Sequence, residues 1–190
     1  PITRQKLTSV FASDTVGFWD DRVLITAGIR LQTISSKSYA ANASGGIPAG
    51  GLTSEYSESD VTPVVGLVIK PVEGLSLYAN RAEALVPGAT ASATANTGSG
   101  VLPVSNGGES LPPFVSTQYE FGGKLALGKV NASLGFFQID RDIAIYTLDT
   151  ARPGFLVYGP FGVQRHQGIE LSVDAEPVEG LRIIAGGSVV

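Results

Sequence analysis

The chain has 190 residues, 43% hydrophobic, with a formal net charge of -4 and no cysteine. The acidic balance leaves no basic stripe to release phosphate counterions, which excludes a nucleic-acid partner, and without thiols there is no disulfide framework, thiolate metal site or cysteine nucleophile. The longest apolar run, about Val64 to Ile69, is far short of the ~18 residues of a spanning helix, and 24 glycines and 11 prolines with no helical apolar period leave strand as the expected element.

Eight strands are predicted, at 7–17, 22–34, 58–70, 75–86, 114–127, 130–148, 163–176 and 181–190. In the second, Val23, Ile25, Ala27 and Ile29 form one face while Thr26, Gly28 and Arg30 form the other, the period of two expected of a strand with a dry and a wet side. The third sets Val65, Leu67 and Ile69 against Gly66 and Lys70. Tyr78, Asn80 and Arg81 blur the fourth. Later strands set Tyr119, Phe121, Leu125 and Leu127 against Gln118, Glu120, Gly122 and Lys124. Val130, Ala132, Leu134 and Phe136 oppose Asn131, Ser133 and Gly135, and Ile169, Leu171, Val173 and Ala175 oppose Glu170, Ser172 and Asp174.

The connections alternate in length. Tight turns are predicted at Trp19–Arg22, Pro71–Gly74, Leu127–Lys129 and Pro177–Gly180, and long Gly/Ser/Ala/Asn/Pro-rich loops at about 35–57, 87–113 and 149–162. One turn design is used twice: Pro71-Val72-Glu73-Gly74-Leu75 recurs as Pro177-Val178-Glu179-Gly180-Leu181, each time between two strands. Most predicted strands exceed the ~9–11 residues that a tilted strand needs to cross a bilayer. Short turns on one side and long loops on the other are the pattern of a transmembrane meander. The expected fold is therefore all-β, an antiparallel up-and-down meander of about eight long strands, part of a larger transmembrane β-barrel.

Six segments, in order, resemble the barrel strands of TonB-dependent siderophore receptors. Ser9-Val10-Phe11-Ala12-Ser13-Asp14-Thr15 is followed by Asp21-Arg22-Val23-Leu24-Ile25-Thr26-Ala27-Gly28-Ile29-Arg30. Val61 to Pro71 and Leu75-Ser76-Leu77-Tyr78-Ala79-Asn80 match the next pair, and Ser116 to Lys124 and Arg165 to Leu171 two later strands. The resemblance implies an outer-membrane receptor that takes up ferric siderophores into the periplasm, energised through a TonB complex acting on a plug. Family barrels close about 22 strands around that plug. Residues 1–190 are thus expected to be a partial barrel domain lacking the plug and the remaining strands. No leader is legible at Pro1, so any export signal is expected to lie outside the chain or to have been removed. Two other readings remain open at this stage: a complete eight-stranded barrel with a structural or adhesive role, and a soluble β-sandwich binding module.

Residues able to carry chemistry are few. His166, the single histidine, has no acidic orienter or nucleophile pattern beside it. Asp20-Asp21 and Asp140/Asp142 read as solvated charges, and no glycine stretch is a phosphate loop. The chain is expected not to be an enzyme. Glu120, Lys124, Glu170, Asp174, Arg30, Lys70 and Arg182 fall on the wet face, and Phe11, Trp19, Tyr119, Phe121 and Phe136 are expected in interfacial girdles or lipid packing. Ligand contact is expected on the long-loop side, where Tyr39, Tyr56, Arg81, Arg152, Phe155, Tyr158 and Phe161 offer aromatic faces and guanidinium groups to an anionic chelate. The iron would arrive already chelated, so no cofactor and no protein metal ligand is expected. The expected partners are the ferric siderophore, the TonB complex through the plug, and outer-membrane lipid.

Overall fold

The computed structural model describes residues 2–43 and 45–190, in which ten strands form: β1 (Ile2–Phe18), β2 (Val23–Tyr39), β3 (Leu52–Val72), β4 (Leu75–Val86), β5 (Thr94–Asn96), β6 (Val101–Pro103), β7 (Phe114–Leu127), β8 (Val130–Leu148), β9 (Leu156–Val178) and β10 (Leu181–Val189). Eight of them make one sheet in the order β1-β2-β3-β4-β7-β8-β9-β10, and β5 pairs only with β6. Every ladder is antiparallel, so the sheet is a meander, all-β as expected. It stays open, β1 and β10 each having one neighbour among the described residues.

Register carries each alternation pattern across the sheet. Val16, Ile25 and Leu67 lie abreast on β1, β2 and β3, and Phe121, Phe136, Ile169 and Val189 lie abreast on β7 to β10. The burial that follows is the reverse of a soluble sheet's. Ile29 is 60% exposed and Phe121 59%, whereas Thr62 and Gln32, on the polar face, are 2% and 6% exposed. The apolar face is the outward one, exposed and with nothing packed on it among the described residues. That is the arrangement of a transmembrane barrel wall, where lipid covers the apolar side. A sandwich would bury the same side against a second sheet.

The short turns form where the glycines allow them. Val72 pairs with Leu75 and Val178 with Leu181, so both copies of the repeated motif close a two-residue turn whose glycine has positive φ, 79° at Gly74 and 80° at Gly180. The first turn has no glycine: Trp19, Asp20 and Asp21 all take the left-handed region, at φ 52°, 54° and 60°. The Arg22 amide closes it on the Trp19 carbonyl at 3.2 Å.

Four strands run further toward the long-loop end than apolar alternation predicts, β1 starting already at Ile2. β2 continues to Tyr39, β3 starts at Leu52 and β9 at Leu156, leaving connections of 40–51 and 149–155. The β2 and β3 extensions carry Ser, Thr, Lys and Glu, so no apolar period marks them, and the β9 extension is interrupted by Gly159, Pro160 and Gly162. Polar contacts join the β2 and β3 extensions instead, the Thr53 hydroxyl to the Ser38 carbonyl at 2.8 Å and Lys37 to Glu55 at 2.7 Å. The 87–113 connection keeps its length and holds the β5–β6 hairpin.

Candidate functional site

On the polar face the best-connected group is Glu120. Tyr78 of β4 donates its phenolic hydrogen to Glu120 Oε1 at 2.8 Å, while the Asn80 and Gln118 amides approach Oε2 at 3.4 and 3.3 Å. Lys124 Nζ sits 5.3 Å from the centroid of the Tyr78 ring. Two glycines make room for this tyrosine. A Cβ on Gly122 would stand 2.9 Å from its hydroxyl and one on Gly135 3.0 Å, so the side chain lies along the wall across two strands instead of rising from it. Lower on the same face, Arg22, Lys70, Lys124 and Asp174 line a trough of about 750 Å³ near the short turns.

The outward face changes character along a sharp border. On β4, β7, β8 and β9 the row Ala79, Phe121, Phe136 and Ile169 is followed by Arg81, Tyr119, Gln138 and Gln167, and then by Glu83, Thr117, Asp140 and Arg165. Phe121 and Phe136 stack at 5.1 Å between ring centroids, the uppermost pair of the apolar band. Above them the polar groups satisfy one another: Gln167 donates to Gln138 at 2.6 Å, Arg165 grips Asp140 through two bonds of 2.6 and 2.9 Å, and Arg81 pairs with Glu83. A change from apolar to self-paired polar rows with an aromatic at the boundary marks where hydrocarbon gives way to headgroups.

At the long-loop end, residues 87–113 are braced rather than free. Ala91, Val104 and Leu156 form a buried cluster with Ala95, Leu102, Tyr146 and Tyr158 packed against it. The Asn106 side chain donates to the Tyr158 carbonyl at 2.9 Å and accepts from the Tyr158 amide at 3.0 Å. Asp149 opens the neighbouring turn. A hydrogen bond from the Ser105 hydroxyl, followed by those from the Ala151 and Arg152 amides, holds its carboxyl below the ordinary carboxylate value.

The seven residues expected to touch ligand are dispersed over three places. Tyr39 and Arg81 share the outward face with Leu31 and Ala79; Arg4 lies over the Tyr39 ring at 5.7 Å, and Arg81 stands beside Tyr119 and Glu83. Tyr56 is on the polar face, its hydroxyl taking the Gly88 amide at 3.4 Å at the root of the long loop. Tyr158 packs 4.4 Å from Tyr146 in the loop cluster, and Arg152 and Phe155 close one turn through the Phe155 amide and the Arg152 carbonyl at 3.0 Å. Phe161 is half exposed and covers Gly159 at the nearby bulge. Phe11, expected in a girdle, faces the polar side under Arg30, because the register sets it opposite that arginine. Sequence reasoning passed over Asn106, Ser105 and Asp149, polar residues in a loop with no period to single them out. It placed Gly122 and Gly135 on the wet face but did not read them as the room for Tyr78, with which the register sets them abreast.

An open amphipathic wall with its apolar face outward, a polar interior and structured loops at one end is a segment of an outer-membrane β-barrel. Residues 1–188 match the family model described as TonB dependent receptor-like, beta-barrel, and the chain belongs to that family. It is 36% identical over 178 residues to the ferrichrome receptor FcuA of Yersinia enterocolitica, an alignment covering 93% of this chain and 21% of the relative. Its structure is similar to that of BauA, the ferric preacinetobactin receptor of Acinetobacter baumannii, with a TM-score of 0.73, 32% identity, and coverage of 98% of this chain and 25% of that one. FauA, the alcaligin outer-membrane receptor of Bordetella pertussis, shares the fold at a TM-score of 0.66 and 21% identity, with 98% of this chain and 30% of that one covered. The chain thus spans about a fifth to a third of the length of these relatives, and its place is the bacterial outer membrane.

Proposed function

We propose that this chain is one stretch of the barrel wall of a receptor that captures a ferric siderophore outside the cell and admits it to the periplasm. The remaining strands and a plug are supplied by the longer protein, and a TonB complex acting on the plug provides the energy. The observation that carries the reading is the pairing of an outward apolar face with a polar interior, in a chain 36% identical to a ferrichrome receptor. Transport asks for no bond-making group. The iron travels inside its chelate, so the wall contributes hydrogen bonds, charge and shape, and the protein is not an enzyme.

Within this reading Arg152 and Phe155, on the β8–β9 tip, contact the chelate directly. Tyr56 and Tyr158 act by bracing the loop above them, and Phe161 borders the same lobe. Tyr39 and Arg81, on the outward face, stand beside lipid headgroups. The luminal group around Glu120 faces the plug, to which it offers a fixed acceptor. Deleting the gene in the source bacterium and measuring uptake of radioactive iron from a panel of ferric siderophores tests the proposal. Loss of uptake of one chelate, restored by the full-length gene, is the expected result; undiminished uptake of all of them would overturn it.

A further inference from the structure

We propose that Asn106 is a positioning residue: it latches the 87–113 loop to the tip of the β8–β9 hairpin, so that the two act as a single lobe in ligand capture. The inference rests on the receptor reading for its ligand, but its geometry stands apart from it. The β7–β8 ladder ends at Ser116 and Arg141, so from Asp142 onward β8 has β9 alone beside it among the described residues. On the other strand of the hairpin, Leu156 and Tyr158 exchange hydrogen bonds with Ser105 and Asn106 of the long loop. Peptide groups away from water need partners, and at Leu156 and Tyr158 the long loop supplies them.

The substitution is close to a continued ladder. Val104 forms a parallel bridge with Leu156, and the Ser105 amide donates to the Leu156 carbonyl at 2.7 Å. One position on, where another peptide group would have to bond Tyr158, the Asn106 carboxamide does so, giving to its carbonyl and taking from its amide. No other residue type carries a donor and an acceptor in the planar geometry of a peptide group on so short a stem. Behind this seam, Ser92 donates its amide to the Tyr146 hydroxyl at 3.4 Å, and the Ala91, Val104 and Leu156 cluster fills the gap.

The lobe also has an articulation. Ile143 pairs with Gly162 and Ile145 with Gly159, so Pro160 and Phe161 stand against Ala144 alone, a bulge that bends the hairpin just below the latch. Proline has no amide to lock the bulge, and glycines flank it. The loop is rooted separately: Val86 pairs with Phe114, and the Gly88 amide rests on Tyr56. Two segments with different roots, joined at their far ends by one side chain and a short seam, transmit displacement from one to the other. A chelate touching Arg152 or Phe155 on the tip therefore also moves the β5–β6 hairpin.

Hydrogen exchange on the full-length receptor in detergent tests this. In the wild type, the amides of 91–106 and of 145–158 open together. Asn106→Ala raises the opening constant of both segments roughly tenfold, the order expected for two hydrogen bonds, while β7 and β8 below Arg141 stay protected and report that the barrel is folded. Asn106→Asp keeps the acceptor, loses the donor and falls between. Exchange confined to one segment in Asn106→Ala, or independent opening in the wild type, would overturn the latch. Ferrichrome serves as the probe for capture: in the wild type it protects both segments at once, and in Asn106→Ala its binding weakens and the joint protection disappears. Equal binding with joint protection in the variant would overturn the positioning role. If ferrichrome protects neither segment while the paired tenfold effect persists, the latch holds and the assignment of that chelate fails.

Discussion

Tyr78 and Glu120, on adjacent strands and pointing to the same side, are joined by a 2.8 Å hydrogen bond in which the phenol is the donor. Glu120 keeps only the two longer amide contacts, at 3.3 and 3.4 Å, if that donor is removed. Tyr78→Phe should therefore cost about 1.5–3 kcal/mol, the range for a hydrogen bond to a charged acceptor. Urea unfolding of the full-length protein in detergent measures it, with Tyr146→Phe, in the loop cluster, as a variant that leaves Glu120 untouched.

Gly122→Ala should cost more than its size suggests. The added methyl would lie 2.2 Å from the Leu134 carbonyl oxygen, a backbone atom of the paired strand, as well as against the Tyr78 ring. A strand cannot yield as a side-chain end can, so a loss of about 1–3 kcal/mol is expected. Gly187→Ala, where a Cβ meets nothing within 4 Å, should be close to neutral in the same experiment.

Neighbouring residues of β8 should respond oppositely to one substitution. Leu134 faces outward in the middle of the apolar band, and Leu134→Arg should cost about 2–4 kcal/mol. Ser133 faces the polar interior, bonded to Ser172 at 2.7 Å, and Ser133→Arg should lose no more than about 1 kcal/mol for that hydrogen bond. Folding yield into lipid vesicles of increasing urea content ranks the two.

The 149–155 turn should be acid-sensitive. Because its folded form holds the Asp149 carboxyl below the ordinary value of 3.8, the charged carboxylate stabilises the turn at all pH values above that. The contribution fades as pH falls through the lowered value. Exchange of the Ala151 and Arg152 amides should accelerate below about pH 4, relative to the intrinsic rate, and Asp149→Asn should flatten the dependence.

What was legible in the sequence was the part governed by the bilayer. Val23 to Ile29, Val130 to Phe136 and Ile169 to Ala175 alternate because lipid accepts only one kind of side chain, so their faces could be assigned before any register was known. The Val-Glu-Gly-Leu repeats were readable for a similar reason, a two-residue turn needing one residue of positive φ. Beyond the membrane that constraint lapses. Ser35 to Tyr39 and Leu52 to Ser57 carry side chains that a loop could equally carry, so these strands were drawn too short. Arg81 shows the same limit: charge and proximity to a loop suggested the mouth of the receptor, while parity with Leu77 and Ala79 puts it outside. Asn106 was invisible because its partner is a backbone 52 residues away.

The central claim, that this sheet meets lipid with its apolar face, is tested most directly by nitroxide scanning. Single spin labels placed from Val130 to Asp140 of the full-length protein in lipid vesicles report collision with oxygen, which concentrates in hydrocarbon, and with a water-soluble nickel complex. The account predicts oxygen maxima at Val130, Ala132, Leu134 and Phe136, minima at the residues between, and a switch to nickel at Gln138. Uniformly low oxygen access at those four positions would mean that protein covers the face, and would contradict the barrel wall described above.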